Sequence, residues 1–407
     1  MTNTPGSPQV PPATDVRPGL AIISNVPRPD RVHVHERLAD EIPEIAVHSL
    51  FTRSGWHLNW NVELPEKIHA VTFAVGEDVD TKWKWYGNPW KDWKKSGPII
   101  RYCRDHNVRA VIFNGYSSLT AVRVLRWCNR AGVAALIRSD SNIRSERASS
   151  GLPLMRWLKK RLVTWFVKRC DAVMPMGELG VQYFEKYGAD RSRCFFSPSI
   201  PDYRMFSDIP AERVAAFRAK HGLSADRRSI LFCGRLTRDK RVDLLVDAFA
   251  RLAADRPQWD LLIAGSGPQE EELKRRAPEG LADRITWLGF MEWADLPPAY
   301  AAADVHVLPS EFEPWAVVVI EAMLAGQVVV ASDIVQAAHE LFEDGVSGRL
   351  FASGSVDSLF ECLLDVTDAQ KHEQYRSAVG PAVNRWIETR DPIDWTRKAL
   401  RYLKVIP

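Results

Sequence analysis

A chain of 407 residues that is 46% hydrophobic and 26% charged can build two domains with proper cores, which excludes wholesale disorder and a small disulfide-stapled scaffold. Its 54 Lys and Arg nearly cancel its 51 Asp and Glu, so the net charge of +3 gives no reason to expect a nucleic-acid partner. The balance is uneven, with 30 basic against 21 acidic side chains in residues 1–210 and 24 against 30 in the remainder, as expected of two domains with different partners.

Met1–Pro18 is polar and rich in proline, so it is expected to be a disordered tail and not an apolar leader. The six cysteines lie far apart with no C-x-x-C pair and read as reduced thiols of a cytoplasmic protein. The most apolar stretch, Ala316–Ala331, is interrupted by Glu321, Gly326 and Gln327 and falls short of the ~18 residues a membrane span needs.

Short apolar runs alternate with amphipathic stretches throughout, the signature of parallel strands joined by helical crossovers, so the fold class is α/β. In the first half the expected strands are Leu20–Ser24, Ile45–Leu50, Ile68–Phe73, Ala110–Asn114, Ala134–Arg138, Ala172–Pro175 and Cys194–Ser197. Helices are expected at Val32–Asp40, Ile99–His106, Thr120–Ala131 and Gly180–Tyr187. The second half repeats the pattern, with strands at Ser229–Cys233, Asp260–Ala264, Ile285–Leu288, Val305–Leu308, Val328–Ala331 and Arg349–Phe351. Its expected helices are Val242–Ala254, Gln269–Ala277, Leu296–Ala302, Val317–Ala325 and Ser355–Thr367. The proline-bearing segment Ser197–Tyr203 reads as a linker, giving an acceptor-side domain over 19–200, a second doubly wound domain over 201–390, and a closing helix in 391–407 that packs back on the first.

Three stretches carry chemistry. Gly234 and Arg235 follow a strand and open a cationic loop ending at Lys240, whose planar fork and compact charge suit a diphosphate. Gly265-Ser-Gly-Pro268 is a glycine turn between strand and helix, a weak signal alone. Glu313 follows a third strand and should stand at the positive end of an apolar helix, with Glu321 about two turns on, roughly 12 Å along the axis. Two carboxylates so spaced suit two parts of one elongated ligand. Taken singly, each carboxylate reads more readily as structural, Glu313 as a helix cap and Glu321 as a salt-bridged residue.

In this order and spacing, from about Ser229 to Phe351, the pieces resemble the C-terminal domain of retaining glycosyltransferases of the GT-B fold, glycosyltransferase family 4. The match includes the G-R-x4-K loop, the Gly-x-Gly-Pro turn and E-x7-E at Glu313 and Glu321. The resemblance implies two Rossmann-like domains facing a cleft and a nucleotide-sugar donor, with no further cofactor. It implies that Arg235 and Lys240 hold the donor diphosphate, Glu313 the sugar and Glu321 the ribose, with Gly234, Gly265 and the backbone of Ala316 and Val317 lining the site. Trp315-Ala316, Arg241 and Gln336-Ala-Ala338 depart from the family pattern, which favours Phe-Gly, Gly and glycines at those places.

The first half resembles the family less closely. Asn25-Val-Pro-Arg28, Phe113–Ser118, Leu136–Ser141 and Cys194–Pro198 look like one branch of it. Asp140, just past a strand end, is the acceptor-side catalytic candidate, or else a turn residue capping the next helix. The Asp78-Val-Asp80 motif is the metal signature of the other glycosyltransferase fold, but without His or Cys support it reads as solvated charge, and no metal is expected. Lys82–Lys95 and the acid-free helix Leu154–Arg169 mix Trp with Lys and Arg, as at an anionic membrane surface carrying a lipid-linked acceptor, or as in a half-buried helix with a solvated basic edge. The expectation is a metal-independent, retaining, cytoplasmic glycosyltransferase, peripheral on the inner face of the membrane, acting on a glycan, glycolipid or small-molecule acceptor. The rivals are a nucleotide-sugar epimerase or hydrolase and a noncatalytic sugar-nucleotide sensor.

Overall fold

The computed structural model describes residues 16–53, 62–73, 89–116, 118–148, 153–224 and 226–407. Residues 1–15 of the tail, Asp78, Asp80 and residues 82–88 of the Trp-rich stretch lie outside them. The chain divides into two compact units, the first comprising residues 1–141, 150–199 and 390–407 and the second residues 142–149 and 200–389. The octapeptide 142–149, which the sequence assigns to the first domain, therefore belongs with the second.

In the first unit, β1 (Gly19–Ser24), α1 (Pro29–Glu41), β2 (Ala46–Phe51), β3 (Val71–Thr72), α2 (Pro89–Asp105), β4 (Val108–Asn114), α3 (Leu119–Ala131) and β5 (Ala134–Ser139) follow one another. After α4 (Ile143–Ala148), which counts with the other unit, come α5 (Pro153–Val167), β6 (Ala172–Pro175) and α6 (Glu178–Lys186). The sheet is parallel throughout, in the order β3-β2-β1-β4-β5-β6. Its strands are apolar on both faces because both are covered. Ala21, Ile23, Val111, Phe113 and Ile137 join one core with residues of α2, α3 and α5, whereas Leu20, Ile22, Ile112 and Leu136 join another. That second core is closed by Leu38 of α1 and by Ile393, Ala399 and Leu400 of the chain's last helix.

Two expected strands come out differently. Glu66–Ile68 is a 3-10 turn closed by His69 at φ 38°, leaving only the two residues of β3. Cys194–Ser197 runs beside β6 as an extended segment, donating from the N–H of Phe195 to Val173 and of Ser197 to Pro175 at 2.9 and 2.8 Å. The return bond of a parallel ladder would need an N–H on Pro175, which proline lacks, so no strand forms.

The second unit continues with α7 (Tyr203–Ser207), α8 (Ala211–Lys220), β7 (Arg228–Cys233), α9 (Val242–Asp255), β8 (Trp259–Ala264), α10 (Glu270–Arg276) and β9 (Ile285–Gly289). Then follow α11 (Leu296–Ala301), β10 (Val305–Leu308), α12 (Val317–Leu324), β11 (Val328–Ser332), α13 (Gln336–Leu341), β12 (Gly348–Phe351), α14 (Val356–Val366) and α15 (Ala369–Arg390). The last helix, α16 (Pro392–Tyr402), returns to the first unit. The second sheet is again parallel, in the order β12-β11-β10-β7-β8-β9, the same winding as the first. In each sheet the direction of winding reverses beside the first strand, and such switch points, at the carboxyl ends of the strands, are where open α/β sheets bind ligands.

His306 lies within β10, fully buried, and neither ring nitrogen has a hydrogen-bond partner. Burial pushes its pKa down to about 3. The unfolded chain binds the proton near pH ~6.5 and the folded one does not, so stability is lost as pH falls from ~6.5 towards 3, by up to about 1.4 kcal/mol per pH unit from this group. Phe at this position keeps the ring against Tyr300, 5.6 Å away, and removes the titration. His306→Phe is expected to lose less stability than the native chain between pH 7 and pH 5 in urea unfolding, and equal losses would show that His306 is not the acid-sensitive group.

Candidate active site

The loops after β7 and β10, the adjacent strands at the switch point of the second sheet, carry the residues singled out in the sequence. The loop after β7 is held from one side by the Gly265 turn. Leu236 N–H donates to Ser266 O at 3.0 Å, and Gln269 N–H donates back to Leu236 O at 3.1 Å. Gly265 adopts φ 136°, and a Cβ there would collide with the Gly234 carbonyl oxygen; one on Gly267 would collide with that of Leu236. Only glycines allow the two loops to lie this close.

From the other side comes the loop after β10. Lys240 Nζ donates to Glu313 Oε2, with 15% and 13% of the two side chains exposed. Beside them Arg241 pairs with Glu311 and with Asp243, and the Glu311 N–H reaches Asp239 O at 2.9 Å. Asn142 Nδ2 donates to Pro314 O at 2.9 Å, and the Ala337 N–H reaches Trp315 O at 3.1 Å, so α4 and α13 brace the segment following Glu313. Arg235 is exposed, and among the described residues its guanidinium has no hydrogen-bond or ion-pair partner in the structure. An acid held by one cation with a second, unengaged cation on the same loop is an arrangement suited to a diphosphate and a polar group attached to it.

The helix after Glu313 begins at Val317 as expected, which leaves Glu313 four residues ahead of it and not at its N-terminus. The N-cap of α12 is Ala316 with no side-chain cap, and Glu313 therefore does not cap it. The helical rise applies only from Val317 to Glu321, ~6 Å and not 12 Å. Glu321 is 3% exposed and accepts a hydrogen bond from Tyr300 Oη at 2.6 Å. Burial raises the Cys233 thiol to about 12, with the Glu321 charge adding to it. Tyr300 and Asn142 are the contacts that sequence reasoning missed. Tyr300 lies within the stretch from Ser229 to Phe351 that carries the resemblance, whereas nothing local marks Asn142, whose bond to Pro314 spans 172 residues.

In the first unit the residues of the branch-like pattern form one network across the ends of β1, β4 and β5. Arg138 donates to Ser197 O and Oγ at 3.0 Å, to Asn114 Oδ1 at 3.1 Å and to Ser199 Oγ at 3.0 Å, while Asn114 Nδ2 reaches Ser24 Oγ at 2.6 Å. Burial, reinforced by the nearby Arg31 charge, lowers Arg138 to about 10. Asp140 is exposed just past β5 and caps no helix; Asn142 Oδ1 instead receives the N–H groups of Arg144 and Ser145 at 3.0 and 2.8 Å. Among the described residues no group of three or more His, Cys, Asp or Glu could hold a metal, and no helix is long and apolar enough to cross a membrane.

Solved structures share this architecture. The Anabaena protein Alr3699/HepE in complex with UDP and glucose superposes with a TM-score of 0.71 over 96% of this chain and 100% of that one, at 18% identity. The fold is GT-B, with two Rossmann-like units. Residues 214–381, within the second unit, match the family model described as Glycosyl transferases group 1. The lipopolysaccharide core biosynthesis mannosyltransferase LpsB of Rhizobium meliloti is 31% identical over 54% of this chain and 61% of its own length. The alpha-D-kanosaminyltransferase of Streptomyces kanamyceticus is 32% identical over 44% of this chain and 47% of its own. The matched stretches span about half the length of these curated relatives.

Ala316 has φ 83° and ψ 85°, a conformation that glycine adopts freely and alanine does not. Ala316→Gly is expected to stabilise the chain by about 1 kcal/mol through relief of that strain, less a few tenths for added chain freedom when unfolded. A urea midpoint unchanged or lowered would show the strain to be compensated.

Proposed function

We propose that the chain is a glycosyltransferase that moves a sugar from a nucleoside-diphosphate donor to an acceptor hydroxyl with retention of anomeric configuration and without a metal ion. The observation that carries this reading is the Lys240–Glu313 pair, with Arg235 on the same loop, at the switch point of a domain matched by the Glycosyl transferases group 1 model. Relatives named as mannosyl- and kanosaminyltransferases, and a neighbour of the same fold in complex with UDP and glucose, support the donor class. An epimerase, hydrolase or sensor has no such support.

On this reading the C1–O bond to the donor diphosphate breaks as the anomeric carbon gains oxocarbenium character. Arg235 and Lys240 stabilise the negative charge building on the leaving phosphate. Glu313, held by Lys240, orients the sugar hydroxyls, and Glu321 on α12 holds the ribose, with Tyr300 fixing its carboxylate. The acceptor oxygen bonds to the carbon from the face the phosphate leaves, and its proton passes to that phosphate, so no separate base is needed. Asp140 serves the acceptor side. The six cysteines are all free, in keeping with a reducing cytoplasm.

The acceptor is a glycan or lipid-linked molecule presented at an anionic membrane, and α5 is the contact. Val163, Phe166 and Val167 near its end are buried. Its beginning exposes Leu154 (65%), Met155 (60%), Trp157 (52%) and Leu158 (46%) beside the exposed cations Arg156, Lys159, Lys160 and Arg161. A buried-helix reading covers only the last turns. Apolar side chains and cations without a carboxylate on one exposed helix are the makings of an interfacial anchor.

Glu313→Ala and Arg235→Ala, each folded by circular dichroism, are expected to lower turnover by ~10²–10³. EDTA is expected to leave the native rate unchanged, and a divalent ion restoring a chelated enzyme would overturn metal independence. Changing Lys159, Lys160 and Arg161 together to Glu is expected to abolish flotation with phosphatidylglycerol vesicles while donor binding persists. Equal flotation of the triple variant would remove α5 as the contact.

A further inference from the structure

Between α2 and α3 of the first unit runs a groove of about 780 Å³, a size that holds a small-molecule ligand. Its walls carry five guanidiniums, Arg101 and Arg104 on α2 and Arg123, Arg126 and Arg130 on α3, and none of its lining residues is acidic. The spacings of three, four and seven residues put each set on one face of its helix. Among the described residues none of the five has an ion-pair partner in the structure. Of the two acids on α2, Asp92 is occupied by the N–H and hydroxyl of Thr120 at 3.1 and 3.0 Å, and Asp105, four residues past Arg101, is exposed and forms no ion pair among the described residues.

Helix dipoles absorb part of the charge of Arg104 and Arg130, which sit in last turns, but not that of the other three. Two of those are held in place. Arg123 lies 5.0 Å over the Trp93 ring and donates to Ser96 Oγ at 3.1 Å, and Arg126 lies 5.4 Å from the Trp165 ring. The floor is open at Gly97, where an added Cβ would meet nothing within 4 Å. Five like charges facing one cavity raise the energy of the folded chain unless an anion enters. Guanidiniums are the groups that bind phosphate oxygens in bidentate fashion.

We propose that this groove is an anion site distinct from the donor residues of the second unit, built for a ligand that carries a diphosphate or two closely spaced phosphates. The phosphates belong either to a soluble molecule or to a lipid headgroup. The inference stands apart from the transferase reading, because none of its residues is among Arg235, Lys240, Glu313 and Glu321.

Inorganic pyrophosphate is the probe, titrated calorimetrically into the full chain carrying Arg235→Ala, which suppresses donor-side anion binding. Binding is expected, and adding Arg101→Gln with Arg126→Gln is expected to weaken it about tenfold or more, the loss of two charge-assisted contacts. Gly97→Phe keeps all five charges and fills the groove, and it is expected to block binding equally. The arginine variant should melt no lower than its parent without pyrophosphate and lose the upward shift that pyrophosphate produces. Unchanged affinity in the arginine variant, or full affinity in folded Gly97→Phe, would overturn the proposal, the second outcome reducing the groove to diffuse surface charge. Binding to phosphatidylcholine vesicles containing phosphatidic acid that pyrophosphate displaces and Gly97→Phe abolishes supports a lipid headgroup; pyrophosphate binding that leaves vesicle binding untouched supports a soluble phosphate.

Discussion

A carboxylate that is only 13% exposed needs a cation beside it, and for Glu313 that cation is Lys240, on the loop of the neighbouring strand. The pair ties together the loops after β7 and β10, and much of the second unit's site is arranged around that tie. Arg241 and Glu311 repeat it nearer to solvent, the Gly265 turn holds the β7 loop from behind, and Asn142 and Ala337 hold the β10 loop from the front. Arg235 is left without a partner because Lys240 already neutralises the acid. An incoming diphosphate thus meets one free guanidinium and one cation it shares with Glu313.

The backbone bears a cost for this arrangement. Arg241 and Ala316, one beside Lys240 and the other beside Trp315, both have positive φ, at 49° and 83°. Side chains in that region cost about 1–2 kcal/mol each. Arg241 offsets its share through ion pairs to Asp243 and Glu311; Ala316 has no side-chain contact able to do so. These are two of the places where the family pattern favours glycine, which the dihedral angles explain directly.

Positive charge in the first unit is handled in two ways. Arg138 is surrounded by the oxygens of Asn114, Ser197 and Ser199, so its charge is dispersed over hydrogen bonds and it serves to join strand ends. The arginines between α2 and α3 face open space and one another, held in part by Trp rings. The first pattern stabilises a fold, and the second leaves binding capacity unused.

Periodicity in the chain determined the α/β class and most strands, because a strand buried on both faces must be an unbroken apolar run, as Val328–Ser332 is. Motif spacing likewise determined that Arg235, Lys240 and Glu313 follow strands. Helices containing Gly-Pro were hidden: α2 starts at Pro89, ahead of Gly97-Pro98, and α15 runs through Gly380-Pro381 although His372, Tyr375, Val379, Val383 and Trp386 keep a helical spacing. Such pairs break isolated helices but are tolerated where packing holds the turn. The tertiary structure alone decided that Glu313 pairs with Lys240 rather than capping α12, that Tyr300 binds Glu321, and that five arginines on two helices share one groove. Each depends on side chains distant in sequence meeting across adjacent strands or helices, and spacing along a chain carries no information about which of its surfaces will face each other.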